Sequence, residues 1–329
     1  MLRPSAALLT ALLSLGGARA AEVTPAIVFD MGGKFDKSFN EAVHNGAEAF
    51  TKATGVAVRE YEPQTDAQRE QAIRNFARRG QDPIIAVSFS QATAVRAVAA
   101  EFPALHFVII DTVVDAPNVQ SILFREEQGS YLAGMLAALR SGTGKIGFVG
   151  GMDVPLIRKF ACGYVQGARA ANPKVEVLQN MTGSTPSAWA DPVRGAELAR
   201  SQIERGADVV FHAAGATGTG VLQAAADAGK YGIGVDSNQN ALHPGRVLTS
   251  MVKELDVATR TTLDAARAGT WKPGTLVLGL AENGVGLAFD ANNAPVVTAE
   301  MRSRIDAARA DIVAGRITVH DYTSDNACP

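Results

Sequence analysis

The sequence predicts an α/β protein built as two doubly wound parallel-sheet lobes joined by a hinge. Three observations carry that prediction. Short Val/Ile-rich runs alternate with amphipathic helical stretches along the chain, the pattern of a parallel sheet covered by helices. The alternation breaks at Ser141-Gly142-Thr143-Gly144, which is turn chemistry, and then restarts. The 329 residues also exceed the length, about 250–300 residues, at which a single core stops growing.

In the first half, strands are expected over 26–29, 56–61, 84–87, 107–110 and 119–124. Their continuous apolar character suits strands buried on both faces. Helices are expected over about 39–54, 66–79, 91–101 and 127–140, with Ser38 and Thr65 as N-caps and Gly80 as a stop. In the second half, strands are expected over 146–149, 175–178, 209–213, 233–235 and 247–251. The matching helices are about 155–171, 191–205, 219–228 and 256–268, with a late helix over about 299–314. Hinge crossings are expected near 141–145 and 250–256. That assigns 21–142 plus about 254–290 to one lobe and 143–253 plus about 291–329 to the other.

Residues 1–20 read as a secretory signal peptide. Arg3 supplies the positive start, residues 6–15 are almost wholly apolar, and Ala18-Arg19-Ala20 places small residues at a cleavage point. Removing them takes away Arg3 and Arg19, so 29 basic side chains face 33 acidic ones. That balance favours neither nucleic acid nor an anionic membrane. With no Cys near residue 20, the expectation is a free periplasmic protein without a lipid anchor. Cys162 and Cys328 form either one bridge tying the tail to the body or two unpaired thiols. No metal-site spacing and no cofactor motif occurs, and none is expected.

Ligands of open parallel sheets bind beyond the carboxyl ends of the strands. Those ends are Asp30, Ser88, Asp111, the stretch 211–215 and Asp236. A strand-end Asp accepts ligand N–H or O–H groups with charge-assisted strength, or caps the next helix. Three recurring at one topological position favour the ligand. Gly32-Gly33 lets backbone approach a ligand closely, and Phe39-Asn40 opens a helix beside it. Phe39 and Phe211, one per lobe, would stack a flat heterocycle between them, the alternative for Phe39 being core packing. Gly215 and Gly234 belong to the same rim, and the glycine-rich run 213–220 lacks both the P-loop ending and the G-x-G-x-x-G spacing. Catalytic signatures are missing too: there is no G-x-S-x-G, and His44, His106, His212, His243 and His320 form no paired motif.

These residues resemble the basic membrane protein (BMP) family of periplasmic substrate-binding proteins, whose type member is a purine nucleoside receptor. Residues 30–40 resemble its D-x-G-G-x-x-D-K-S-F-N opening, and 107–111 with Pro117-Asn118-Val119 its I-I-D…P-N-V segment. Gly129-Ser130-Tyr131-Leu132-Ala133-Gly134, then Pro155 with Phe160 and Gly163, continue the likeness. So do Val210-Phe211 with 214–218, Gly234-Val235-Asp236-Ser237 and Ser250-Met251-Val252-Lys253. The resemblance implies a type I periplasmic-binding fold. It implies a purine ring between Phe39 and Phe211, read by Asp30 and Asp111 with Asn40 beside them, and a ribose held by Asp236 and Lys253. For Lys253 the alternative is a surface ion pair with Glu254 or Asp256. Phe35 and Ala216 depart from the family pattern, and Phe35, Ser88 and Trp189 stand as further candidates around the ligand.

The expected function follows: a monomeric, non-catalytic binding protein that delivers a nucleoside-like ligand to an ABC permease in the inner membrane. The alternatives are a periplasmic nucleoside hydrolase and a sensor subunit that presents its ligand to a membrane receptor.

Overall fold

A computed structural model describes residues 23–329 of the chain, so the expected signal peptide lies outside the described residues. The first segment runs β1 (Ala26–Val28), α1 (Phe39–Thr54), β2 (Arg59–Tyr61), α2 (Asp66–Arg78), β3 (Ile84–Ala86), α3 (Ala92–Glu101), β4 (Phe107–Ile110) and β5 (Val119–Phe124). The second runs α4 (Glu126–Arg140), β6 (Lys145–Met152), α5 (Pro155–Ala171), β7 (Glu176–Gly183), α6 (Pro192–Glu204), β8 (Val209–Ala213), α7 (Thr217–Asp227), β9 (Tyr231–Asp236) and β10 (Val247–Lys253). The chain then adds α8 (Leu255–Arg267), β11 (Gly274–Leu278), β12 (Val285–Leu287) and α9 (Ala299–Val313).

Two six-stranded sheets result. The first has the order β11-β5-β4-β3-β1-β2 and is parallel throughout. The second has the order β12-β10-β9-β8-β6-β7, parallel except for the pairing of β12 with β10. Every residue of β1, β3, β4 and β8 is buried, which is what their unbroken apolar sequence requires.

The boundary between the lobes differs from the sequence expectation. The chain crosses at Arg125, ahead of α4, rather than at 141–145. A Cβ on Gly134 would fall on the Tyr164 carbonyl, and one on Gly167 on the Tyr131 carbonyl, so α4 lies flush against α5 of the second lobe. The amphipathic pattern of α4 specified a helix but not which sheet it covers. The return crossing is at Glu254, and a third joins β11 to β12 over 279–284. The sequence reading assigned neither of those last strands. β11 closes the edge of the first sheet with mostly exposed side chains, so its alternation is masked.

Cys162 and Cys328 are bonded, with Cα atoms 5.5 Å apart. Of the two arrangements the sequence left open, the bridge is the one the fold forms. It fixes the C-terminal tail to α5.

Candidate functional site

The strand ends of both sheets open onto one cleft of about 550 Å³ between the lobes, part of it open to solvent. From the first lobe Asp30, Phe39, Asn40, Ser88 and Asp111 line it; from the second, Trp189, Gly215, Asp236 and Lys253 do. Ser88, Asp111 and Asp236 all take positive φ, at 99°, 68° and 63°. Such geometry costs a non-glycine residue about 1–3 kcal/mol and persists where the surroundings impose it. Here it turns each side chain off the end of its strand toward the cleft.

Burial and charge set the chemistry. Lys253 Nζ donates to both Asp111 oxygens at 2.8 and 2.7 Å and lies 3.0 Å from Glu126 Oε1. Burial opposes the ammonium, but the carboxylates of Asp111, Glu126 and Asp236 outweigh it and hold Lys253 protonated. Burial raises the carboxyl of Asp111 above its ordinary range, against the pull of Lys253. The surface ion pair with Glu254 or Asp256, the alternative for Lys253, does not form: its partners are Asp111 and Glu126. Its side chain is 1 % exposed and spans the hinge. Its ammonium also stands 5.1 Å from the Phe39 ring centre and 5.8 Å from that of Phe160.

The lobes meet along one rim. Ser38 Oγ donates to Asp236 Oδ2 at 2.6 Å, Ser237 Oγ to the Ser38 carbonyl at 2.9 Å, and Gln239 Nε2 to the Lys37 carbonyl at 2.9 Å. Burial raises the carboxyl of Asp236 above its ordinary range.

Four candidates have different roles from those expected. Phe211 is fully buried, its ring packed on Phe148 at 5.5 Å and Tyr164 at 5.2 Å between centres. It lies two residues before the end of β8, and only Ala213, at the end, reaches the cleft. Gly234 is also inside the sheet. A Cβ there would lie 2.6 Å from Gln239 Oε1 and 2.7 Å from Ser250 Oγ, so its glycine serves packing. Phe35 is 63 % exposed and meets His44 edge-on, outside the cleft. Asn40 does line the cleft, but its amide is spent on the loop. Its Oδ1 accepts Asp30 N at 3.0 Å, and its Nδ2 donates to the carbonyls of Asp30 and Gly33.

A sequence profile describing ABC transporter substrate-binding proteins, PnrA-like (Bmp), matches residues 23–323. The chain belongs to the Bmp family. The nucleoside-binding protein BmpA of an ABC transporter of Lactococcus lactis is 31% identical over 320 residues, covering 91% of this chain and 89% of that one. An uncharacterised lipoprotein of Pyrococcus horikoshii is 34% identical over 277 residues, 79% of this chain and 67% of that one. Among solved structures, a solute-binding protein of an ABC transporter system from Aeropyrum pernix K1 superposes with a TM-score of 0.83 at 26% identity. It covers 91% of this chain and 94% of its own. The protein is thus an ABC transporter substrate-binding protein of the Bmp family, with the two-lobed α/β fold of solute-binding proteins. No helix among the described residues is long and apolar enough to cross a membrane.

Several cleft residues of this Bmp chain escaped the sequence reading. Leu156, Ile157 and Phe160 present an apolar face from the first turns of α5. The signal was available, because a helix that follows a strand points its N-terminus at the strand ends. Asp36 lines the cleft as well, and its carboxylate accepts the backbone N–H groups of Ser38, Asn40 and Glu41 at the start of α1. Burial raises it to about 7 despite those bonds. Trp189 packs where glycine leaves space. A Cβ on Gly151 would strike its ring, and Gly215 and Gly32 of the opposite lobe lie beside it.

Proposed function

We propose that this Bmp-family protein is a periplasmic receptor that binds a purine nucleoside between its lobes and passes it unchanged to an inner-membrane ABC permease. The observation that carries the reading is the composition of the cleft. Phe39 of one lobe and Phe160 and Trp189 of the other supply flat apolar surface, and Asp30, Asp36, Asp111 and Asp236 ring it with acceptors. A heterocycle with N–H groups at its edge and hydroxyls on its sugar suits both features. Closure excludes water, so stacking and charge-assisted hydrogen bonds act at full strength.

The name of the Lactococcus lactis relative supports a nucleoside ligand. The reading takes the protein as a monomer needing neither cofactor nor nucleic acid, exported by residues 1–20.

Isothermal titration with inosine and guanosine tests the proposal. Phe39→Ala is expected to weaken binding by roughly 1–3 kcal/mol, the range for base–aromatic stacking. Phe211→Ala is expected to lower folding stability by about 3–5 kcal/mol through the cavity it leaves, with the ligand still bound by the folded fraction. Undiminished binding by Phe39→Ala removes the stacking geometry. Release of hypoxanthine from inosine would make the protein a hydrolase instead.

A further inference from the structure

Arg69 is a buried cation that the nucleoside reading leaves without a role. Its side chain, on α2, is 6 % exposed. The guanidinium Nη2 donates to Asp30 Oδ1 at 2.6 Å, and Nη1 donates to Asp66 Oδ1 at 2.7 Å. The same Asp30 Oδ1 accepts the Met31 N–H at 2.9 Å and the Ser90 hydroxyl at 3.1 Å. Three donors thus converge on one oxygen. Among the described residues none donates to Oδ2, although Asp30 lines the cleft. The backbone of Asp30 is pinned as well, by the paired amide bonds of Asn40.

We propose that Arg69 is a positioning residue for ligand selection: it clamps Asp30 through Oδ1 so that Oδ2 alone, as a fixed acceptor, reads a donor on the ligand. An ionised carboxylate only accepts hydrogen bonds, so whatever meets Oδ2 must carry an N–H or O–H. A guanidinium suits the clamp because its planar fork sets two directions at once, here toward Asp30 and Asp66, which a flexible ammonium does not. The inference rests on the purine nucleoside reading and sharpens it: the site selects bases with an N–H at that edge, such as the N1–H of a 6-oxopurine. A site built around such a hydrogen bond rejects an analogue lacking the donor far more strongly than an apolar pocket rejects a misfit in size.

Calorimetric titration of the mature protein, freed of co-purified ligand, compares guanosine with 1-methylguanosine, which lacks N1–H. Wild type is expected to prefer guanosine about tenfold or more. Arg69→Gln is expected to bind guanosine about tenfold more weakly and to lose most of that preference, with Arg69→Lys intermediate because the charge remains and the fork does not. In an Asp30→Asn background, Arg69→Gln is expected to cost nothing further, since Arg69 acts through Asp30. Equal weakening of both ligands by Arg69→Gln, or an undiminished effect in Asp30→Asn, overturns the assignment and leaves Arg69 a packing residue. Should Arg69→Gln fail to fold, Arg69→Lys carries the test, and a wild-type preference in Arg69→Lys overturns the assignment as well. Wild-type protein that binds neither compound overturns the nucleoside reading itself, a result distinct from any of these.

Discussion

His212 shows how a single residue near the cleft can serve the fold without touching ligand. It is fully buried one position before the end of β8, with Nε2 2.9 Å from Gln239 Oε1. That amide oxygen can only accept, so Nε2 carries the proton, and the same oxygen accepts the Val235 N–H. Gln239 then reaches the Lys37 carbonyl of the opposite lobe. Burial pushes the imidazole down to about 4, from 6.5. Below pH 6.5 the unfolded chain takes up a proton that folded His212 refuses, so its contribution to stability is whole above 6.5 and is lost as pH falls toward 4. Asp36, raised to about 7, pulls the other way, which makes a variant comparison necessary. Urea unfolding of wild type and His212→Gln at neutral pH and near pH 5 is expected to show wild type losing about 2 kcal/mol more than the variant on acidification. Equal losses would mean that His212 is protonated inside the fold.

At the scale of elements, the contact of α4 with α5 fixes where one lobe stops. Gly134 and Gly167 meet the backbone of the facing helix, and Gly163 meets Glu127 in the same way. Glycine in a helix interior ordinarily costs about 1 kcal/mol relative to alanine. Here that cost is outweighed, because a methyl group would have to push the two backbones apart. Gly134→Ala and Gly167→Ala are therefore expected to destabilise by roughly 1–3 kcal/mol in chemical denaturation. Gly286→Ala on β12, where a Cβ meets nothing within 4 Å, should stay within about 0.5 kcal/mol of wild type. The same packing delivers function, since α5 carries Leu156, Ile157 and Phe160 to the cleft.

Across the whole molecule, the hinge and the tail are tied to one charged array. Lys253, just before one crossing, and Glu126, just after another, are in contact at 3.0 Å. Glu126 also meets Lys159 at 2.9 Å, and Lys159 lies 3.6 Å from Asp321 in the tail. The Cys162–Cys328 bond closes a loop of 166 residues and holds that tail against α5. In the chain-entropy account a loop of this length stabilises the fold by about 5 kcal/mol, and removal of native disulfides typically costs about 2–5 kcal/mol. Cys328→Ser is expected to lower the denaturation free energy by that amount, with a matching fall in the thermal midpoint. A change below about 0.5 kcal/mol would show that the tail is held by its noncovalent contacts alone.

The sequence by itself determined the two-lobed α/β architecture, nearly every strand and helix of it, and the rim of acidic residues. These are local properties: periodicity specifies an element, and a polar residue after an apolar run specifies a strand end. Asp30, Asp111 and Asp236 were legible for that reason. Tertiary structure alone decided depth and partnership. Phe211 and Phe160 are both aromatic residues near a strand end or helix start. Yet the core claims Phe211 because the end of β8 lies two residues beyond it, whereas the first turns of α5 carry Phe160 to the cleft. The allotment of α4 to the second lobe, the burial of Lys253 between Asp111 and Glu126, and the choice of Arg69 as partner of Asp30 are likewise contacts between distant segments. No local pattern encodes them, because each depends on how two complete surfaces fit together.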